Sequence, residues 1–62
     1  MNDRARELFI QGQDLNDAGD HRSALKKYEA ALSLIDSWDT EYRDALSEII
    51  EDTKKLIMYA PY

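Results

Sequence analysis

An all-α fold, a three-helix bundle, is predicted by three observations on this 62-residue chain. Backbone breakers are scarce, with 2 Gly and 1 Pro, while Ala, Leu, Glu, Lys and Arg, all good helix formers, are frequent. Apolar residues recur at spacings of three and four in three separate segments, which places each set on one stripe of a helix with 3.6 residues per turn. Two stretches of turn and capping residues, Gly19-Asp20 and Asp36-Ser37-Trp38-Asp39-Thr40, divide those segments. The chain, 1–62, therefore reads as one helical domain with helices at 4–18, 21–35 and 40–58.

The first helix carries Ala5, Leu8, Phe9, Gly12 and Leu15 on its stripe. Asn2 or Asp3 can cap its start, and Gly19 can supply the left-handed residue just past its end. Gly12 costs about 0.8 to 1 kcal/mol relative to Ala in a helix, so it marks a place where another helix comes close. Asp20 is a good N-cap for the second helix, whose buried face is Ala24, Tyr28, Ala31, Leu32 and Ile35. Short side chains at Ala24 and Ala31 facing Gly12 predict a tight antiparallel pair, which the very short link at Gly19-Asp20 also demands. The third helix has the fullest stripe, with Tyr42, Ala45, Leu46, Ile49, Ile50, Thr53, Leu56 and Ile57. Its opposite face is charged, with Glu51 and Lys55 forming a favourable i, i+4 pair. Pro61 disfavours helical angles at Ala60, so the tail is expected to leave the helix there.

Composition narrows the function. A chain of roughly 60 residues buries only about 60% of its unfolded surface, and without Cys no disulfide can staple it. Thirteen acidic against 8 basic residues give a net charge of −5. That balance argues against nucleic acid, whose binding draws on clustered cations, and favours neutral or basic protein ligands. Neither a membrane-spanning run nor the apolar core of a signal peptide is visible, so a cytoplasmic protein without direct membrane insertion is expected. A single histidine, His21, and no Cys make a metal site or cofactor unexpected. Paired acids such as Glu51-Asp52 lack the further groups that acid–base catalysis needs, so no catalytic residue and no enzyme activity are expected.

With the hairpin laid out, Leu8, Gly12 and Leu15, the Gly19-Asp20 turn, and Ala24, Tyr28, Ala31 and Leu32 resemble a tetratricopeptide (TPR) repeat. Gly12, Ala24, Tyr28 and Ala31 occupy its structural helix-crossing positions. Gln11 stands where the family usually has Leu, and Asp36 where a closing Pro is common. The third helix then corresponds to the helix that caps such an array. The same hairpin is also similar to the start of a microtubule-interacting and trafficking (MIT) domain, a three-helix bundle.

Each resemblance implies a non-enzymatic module that binds another protein or peptide segment. The TPR reading places a ligand on Arg6, Phe9, Gln13, Asn16 and Asp17, with Phe9 equally readable as core. Phe9 and Gln13 replace the Lys and Asn by which chaperone-binding members hold a carboxylate, which disfavours a chaperone tail. The MIT reading implies an adaptor for amphipathic helices of a membrane-trafficking assembly. There Leu46, Ile49 and Ile50 form an apolar floor, and acids such as Glu48 and Asp52 meet basic residues. A purely structural oligomerisation domain is the third reading. Ile10, Leu34, Trp38, Met58, Tyr59 and Tyr62 fall off the stripes and together suggest a second apolar surface, used for self-association such as a homodimer.

Overall fold

The computed structural model describes residues 3–59. They form α1 (Asp3–Asp17), α2 (His21–Ser33) and α3 (Thr40–Tyr59), with no strand among the described residues. The expected cap at Asn2 and the expected exit before Pro61 lie outside the described residues. α2 is the middle layer, packing against α1 on one side and α3 on the other, while α1 and α3 meet only marginally. The chain is an all-α three-helix bundle.

Each boundary has a chemical cause. α1 stops at Asp17, one residue before the expected end, because Gly19 takes a φ of 90°. That angle lets the Gly19 N–H donate to the Asn16 carbonyl at 3.0 Å and the Asp20 N–H to the Leu15 carbonyl at 2.9 Å. This is the paired closure of a Schellman motif, and Gly admits the angle without a Cβ clash. The Asp20 carboxylate then accepts from the Ser23 N–H at 3.3 Å, capping α2 as expected. The chain reverses within three residues.

α2 ends at Ser33, two residues short of the expected Ile35. The Leu34 N–H donates to the Ala31 carbonyl and the Ile35 N–H to the Leu32 carbonyl, a tightened last turn with i to i−3 bonds. Ile35 leaves the helix but stays buried, anchoring the linker in the core. An Asp36–Asp39 turn follows, its Asp39 N–H donating to the Asp36 carbonyl at 3.0 Å. Arg43, in the first turns of α3, then donates from Nη1 to the Ile35 carbonyl at 3.0 Å and ties the helix to the linker.

The core consists of Ala5, Leu8 and Gly12 from α1, Ala24, Tyr28 and Ala31 from α2, Ile35, and Leu46, Ile50 and Thr53 from α3. Its centre is an aromatic ring on a glycine. A Cβ built on Gly12 would stand 2.6 Å from Tyr28 Cε1 and 2.8 Å from Cδ1, so among the expected crossing residues it is the Tyr28 ring that lies nearest the glycine. The two alanines are fully buried and keep the α2 surface low elsewhere. Phe9 packs on the same ring, with centroids 5.7 Å apart and planes at 43°. Thr53, a buried polar residue, is satisfied by donating Oγ1–H to the Ile49 carbonyl at 2.8 Å.

Gly12→Leu should lower stability by about 1 to 3 kcal/mol or more through overpacking against an enclosed ring. Gly12→Ala removes a helix penalty of about 0.8 to 1 kcal/mol, yet its methyl meets Tyr28, so a net loss is expected in thermal denaturation. A melting temperature equal to or above that of the parent would contradict this packing. Asp20→Ala should cost about 1 kcal/mol through the lost N-cap, read in urea denaturation as a lower midpoint at unchanged slope.

Candidate functional site

Because α1 and α3 scarcely touch, a cleft opens between them with α2 as its floor. It measures about 440 Å³ and is lined by Gln13, Asp14, Asn16 and Asp17 of α1, Tyr28 of α2, and Ile49, Asp52, Thr53 and Leu56 of α3. Gln13, Asn16 and Asp17 come from one predicted set, and Ile49 and Asp52 from the other. The two sets form opposite walls of a single cleft.

Register explains the walls. In α1 the core takes Ala5, Leu8 and Gly12, so Gln13, Asn16 and Asp17 lie to the side of that stripe, around the last two turns. In α3 the core takes Leu46, Ile50 and Thr53, so Ile49, Asp52 and Leu56 flank it on the side towards α1. Tyr28 shows 1% of its surface, its ring seated on Gly12 beneath the cleft.

Other predicted residues go elsewhere. Arg6 is exposed and lies outside the cleft lining. Phe9 is half-buried against Tyr28, so it packs with the core. Leu46 and Ile50 are 2% and 6% exposed, which corrects their expected role as a partner's apolar floor. The α3 stripe is spent on α2, and a residue packed in the core has no surface left to offer. Glu48 belongs to an exposed acidic face with Glu41, Asp44, Ala45, Ser47 and Glu51 over a shallow hollow of about 540 Å³. Apolar contact there is limited to Ala45.

The cleft combines an apolar base and flank, from Tyr28, Ile49 and Leu56, with three carboxylates, Asp14, Asp17 and Asp52. No Lys or Arg lines it. Burial raises the Tyr28 phenol above its ordinary 10.0, and the Asp17 carboxylate adds to the shift by disfavouring a second negative charge nearby. His21 is half-buried and hydrogen-bonds through Nδ1 to Asn16 Oδ1, bracing the α1–α2 turn, so one Asn16 acceptor is already engaged. Sequence reading left His21 without a role, because nothing in its spacing from Asn16 signals a bond that exists only once the turn closes.

Among the described residues no group of three or more His, Cys, Asp or Glu is placed to hold a metal ion. No helix there is long and apolar enough to cross a membrane. The off-stripe apolar residues are exposed but do not form one surface. Leu34 and Trp38 sit at the α2–α3 linker, with Trp38 78% exposed, whereas Met58 and Tyr59 lie at the far end of α3. Ile10 is exposed midway along α1, and Tyr62 lies outside the described residues.

Stability should fall as pH rises above 10. Below that value Tyr28 is protonated in both states; above it the unfolded chain ionises first, and the loss continues through the raised folded value. Tyr28→Phe should flatten this part of the melting-temperature profile, and an unchanged slope would contradict a buried phenol. Compared with models of protein families, with characterised proteins and with solved structures, the chain matches none.

Proposed function

We propose that this chain is a cytoplasmic, non-enzymatic protein–protein interaction module with a TPR-like hairpin, and that its α1/α3 cleft docks a basic, apolar-anchored segment of another protein. The observation that carries this reading is the composition of the cleft: three carboxylates around Tyr28, Ile49 and Leu56, with no cation lining it. Apolar anchors would enter over Ile49 and Leu56 and supply affinity, while Lys or Arg side chains meeting Asp17 and Asp52 fix register and speed encounter. The net charge of −5 reinforces attraction of a basic partner and opposes an anionic one such as nucleic acid.

A second reading, an MIT-like adaptor for amphipathic helices, is favoured by one specific feature. α3 packs on α2 and leaves its Ile49–Leu56 side open towards α1, which provides a groove beside the third helix. The two readings share the site and differ in the bound conformation, extended against helical. A structural oligomerisation domain would have no use for this cleft.

Amide chemical-shift mapping with a synthetic basic amphipathic peptide should perturb Gln13, Asp17, Ile49 and Asp52 first. Asp17→Lys combined with Asp52→Lys should weaken that binding by about tenfold or more, on the order of 1.4 kcal/mol per decade. Shifts that avoid the cleft, or none at all, would overturn the proposal. Circular dichroism of the bound peptide separates the two readings, since only the adaptor reading requires added helix.

A further inference from the structure

A second groove lies between α2 and α3, on residues the cleft does not use. It measures about 400 Å³ and is lined by Arg22, Leu25, Lys26 and Glu29 of α2 with Lys54 and Ile57 of α3. Its character is opposite to that of the cleft. Half-buried Leu25 and Ile57 form an apolar base, and three cations against one acid form the rim. None of Arg22, Lys26 or Lys54 takes part in an ion pair among the described residues.

The same chain carries a surface of matching chemistry. Asp3, Glu7, Ile10 and Asp14 follow one another at spacings of four, three and four along α1, so they share the face turned away from Ala5, Leu8 and Gly12. All four are exposed, and Ile10 is the apolar residue at the middle of an acidic row. Glu7 has an exposed partner in Arg4 at 3.4 Å, a contact that water already screens and that yields at little cost.

We propose that a second copy of this chain occupies the α2/α3 groove, laying the outer face of its α1 there. Ile10 of one copy covers Leu25 and Ile57 of the next, and Glu7 and Asp14 meet Arg22, Lys26 and Lys54. Both surfaces belong to a chain of net charge −5, so a basic groove is the place where two copies can meet without local repulsion. The contact joins unlike surfaces and is heterologous, leaving one copy of a pair with a free groove and the other with a free α1 face for further neighbours. One helix face buries less than the roughly 1,600 Å² of a standard interface, so the association is expected to be weak. Asp14 also lines the cleft, so the test substitutes only Glu7, Ile10, Lys26 and Lys54 and leaves every cleft residue untouched.

Sedimentation velocity of the full chain from micromolar to about millimolar concentration reads the association directly. The average mass should rise with concentration. Lys26→Glu with Lys54→Glu, and separately Glu7→Lys with Ile10→Lys, should each hold the chain monomeric while preserving its helical melt, because all four side chains are exposed. An equimolar mixture of the two variants should associate again, since the first keeps the acidic face and the second keeps the basic groove. A monomeric parent throughout, variants that associate like the parent, or a mixture that stays monomeric would each overturn the proposal. Concentration-dependent amide shifts of the unsubstituted chain provide a readout free of substitutions: they should fall on Glu7, Ile10, Arg22, Lys26 and Lys54, and shifts confined to other residues would also overturn it.

Discussion

The ring of Tyr28 resting on the bare backbone of Gly12 is the contact on which the rest of the molecule depends. Any larger residue at Gly12 would place a Cβ about 2.6 Å from the ring, so the glycine sets how closely α1 and α2 approach. Phe9 packs against the same ring, and the cleft between α1 and α3 has Tyr28 beneath it. A single contact thus serves packing and site together. Gly12 weakens the isolated helix by about 0.8 to 1 kcal/mol, and a large aromatic side chain can bury its area at that spot only because of it.

The cleft exists because α3 is committed to α2. Leu46, Ile50 and Thr53 face the core, Ile35 buries itself at the end of the linker, and Arg43 ties the first turns of α3 to the Ile35 carbonyl. Those contacts fix α3 along one side of α2 while α1 lies along the other. What remains between α1 and α3 is open and apolar at its base, with acids on both walls. The α2/α3 side has the reverse charge, with Arg22, Lys26 and Lys54 around Leu25 and Ile57. A chain this small has little surface to spare, and here it presents two grooves of opposite sign.

Features set by local chemistry were legible in the residues. The turn at Gly19 and Asp20 follows from backbone sterics and capping, and the three stripes follow from helical spacing, so element type and order could be read with boundaries off by one or two residues. What spacing cannot give is which partner a face meets. Gly12 marked a close approach, but that the Tyr28 ring is what lies nearest to it depends on the offset between two helices, which neither helix encodes alone. The α3 stripe was wide enough to suggest both a core face and a binding face. Only its docking on α2 separates Leu46 and Ile50, which are buried, from Ile49, Asp52 and Leu56, which line the cleft. The off-stripe apolar residues likewise looked like one surface until the fold set Trp38 and Tyr59 at opposite ends of α3.

The central claim is that the Tyr28 ring lies on Gly12, and proton NMR reads it directly. Ring-current shielding should move a Gly12 α-proton well upfield of its random-coil position, and strong nuclear Overhauser contacts should connect the Gly12 α-protons to the Tyr28 ring protons. Gly12 α-protons at ordinary shifts with no contact to that ring would contradict the account, because neither the helix crossing nor the floor of the cleft would then be where it is described.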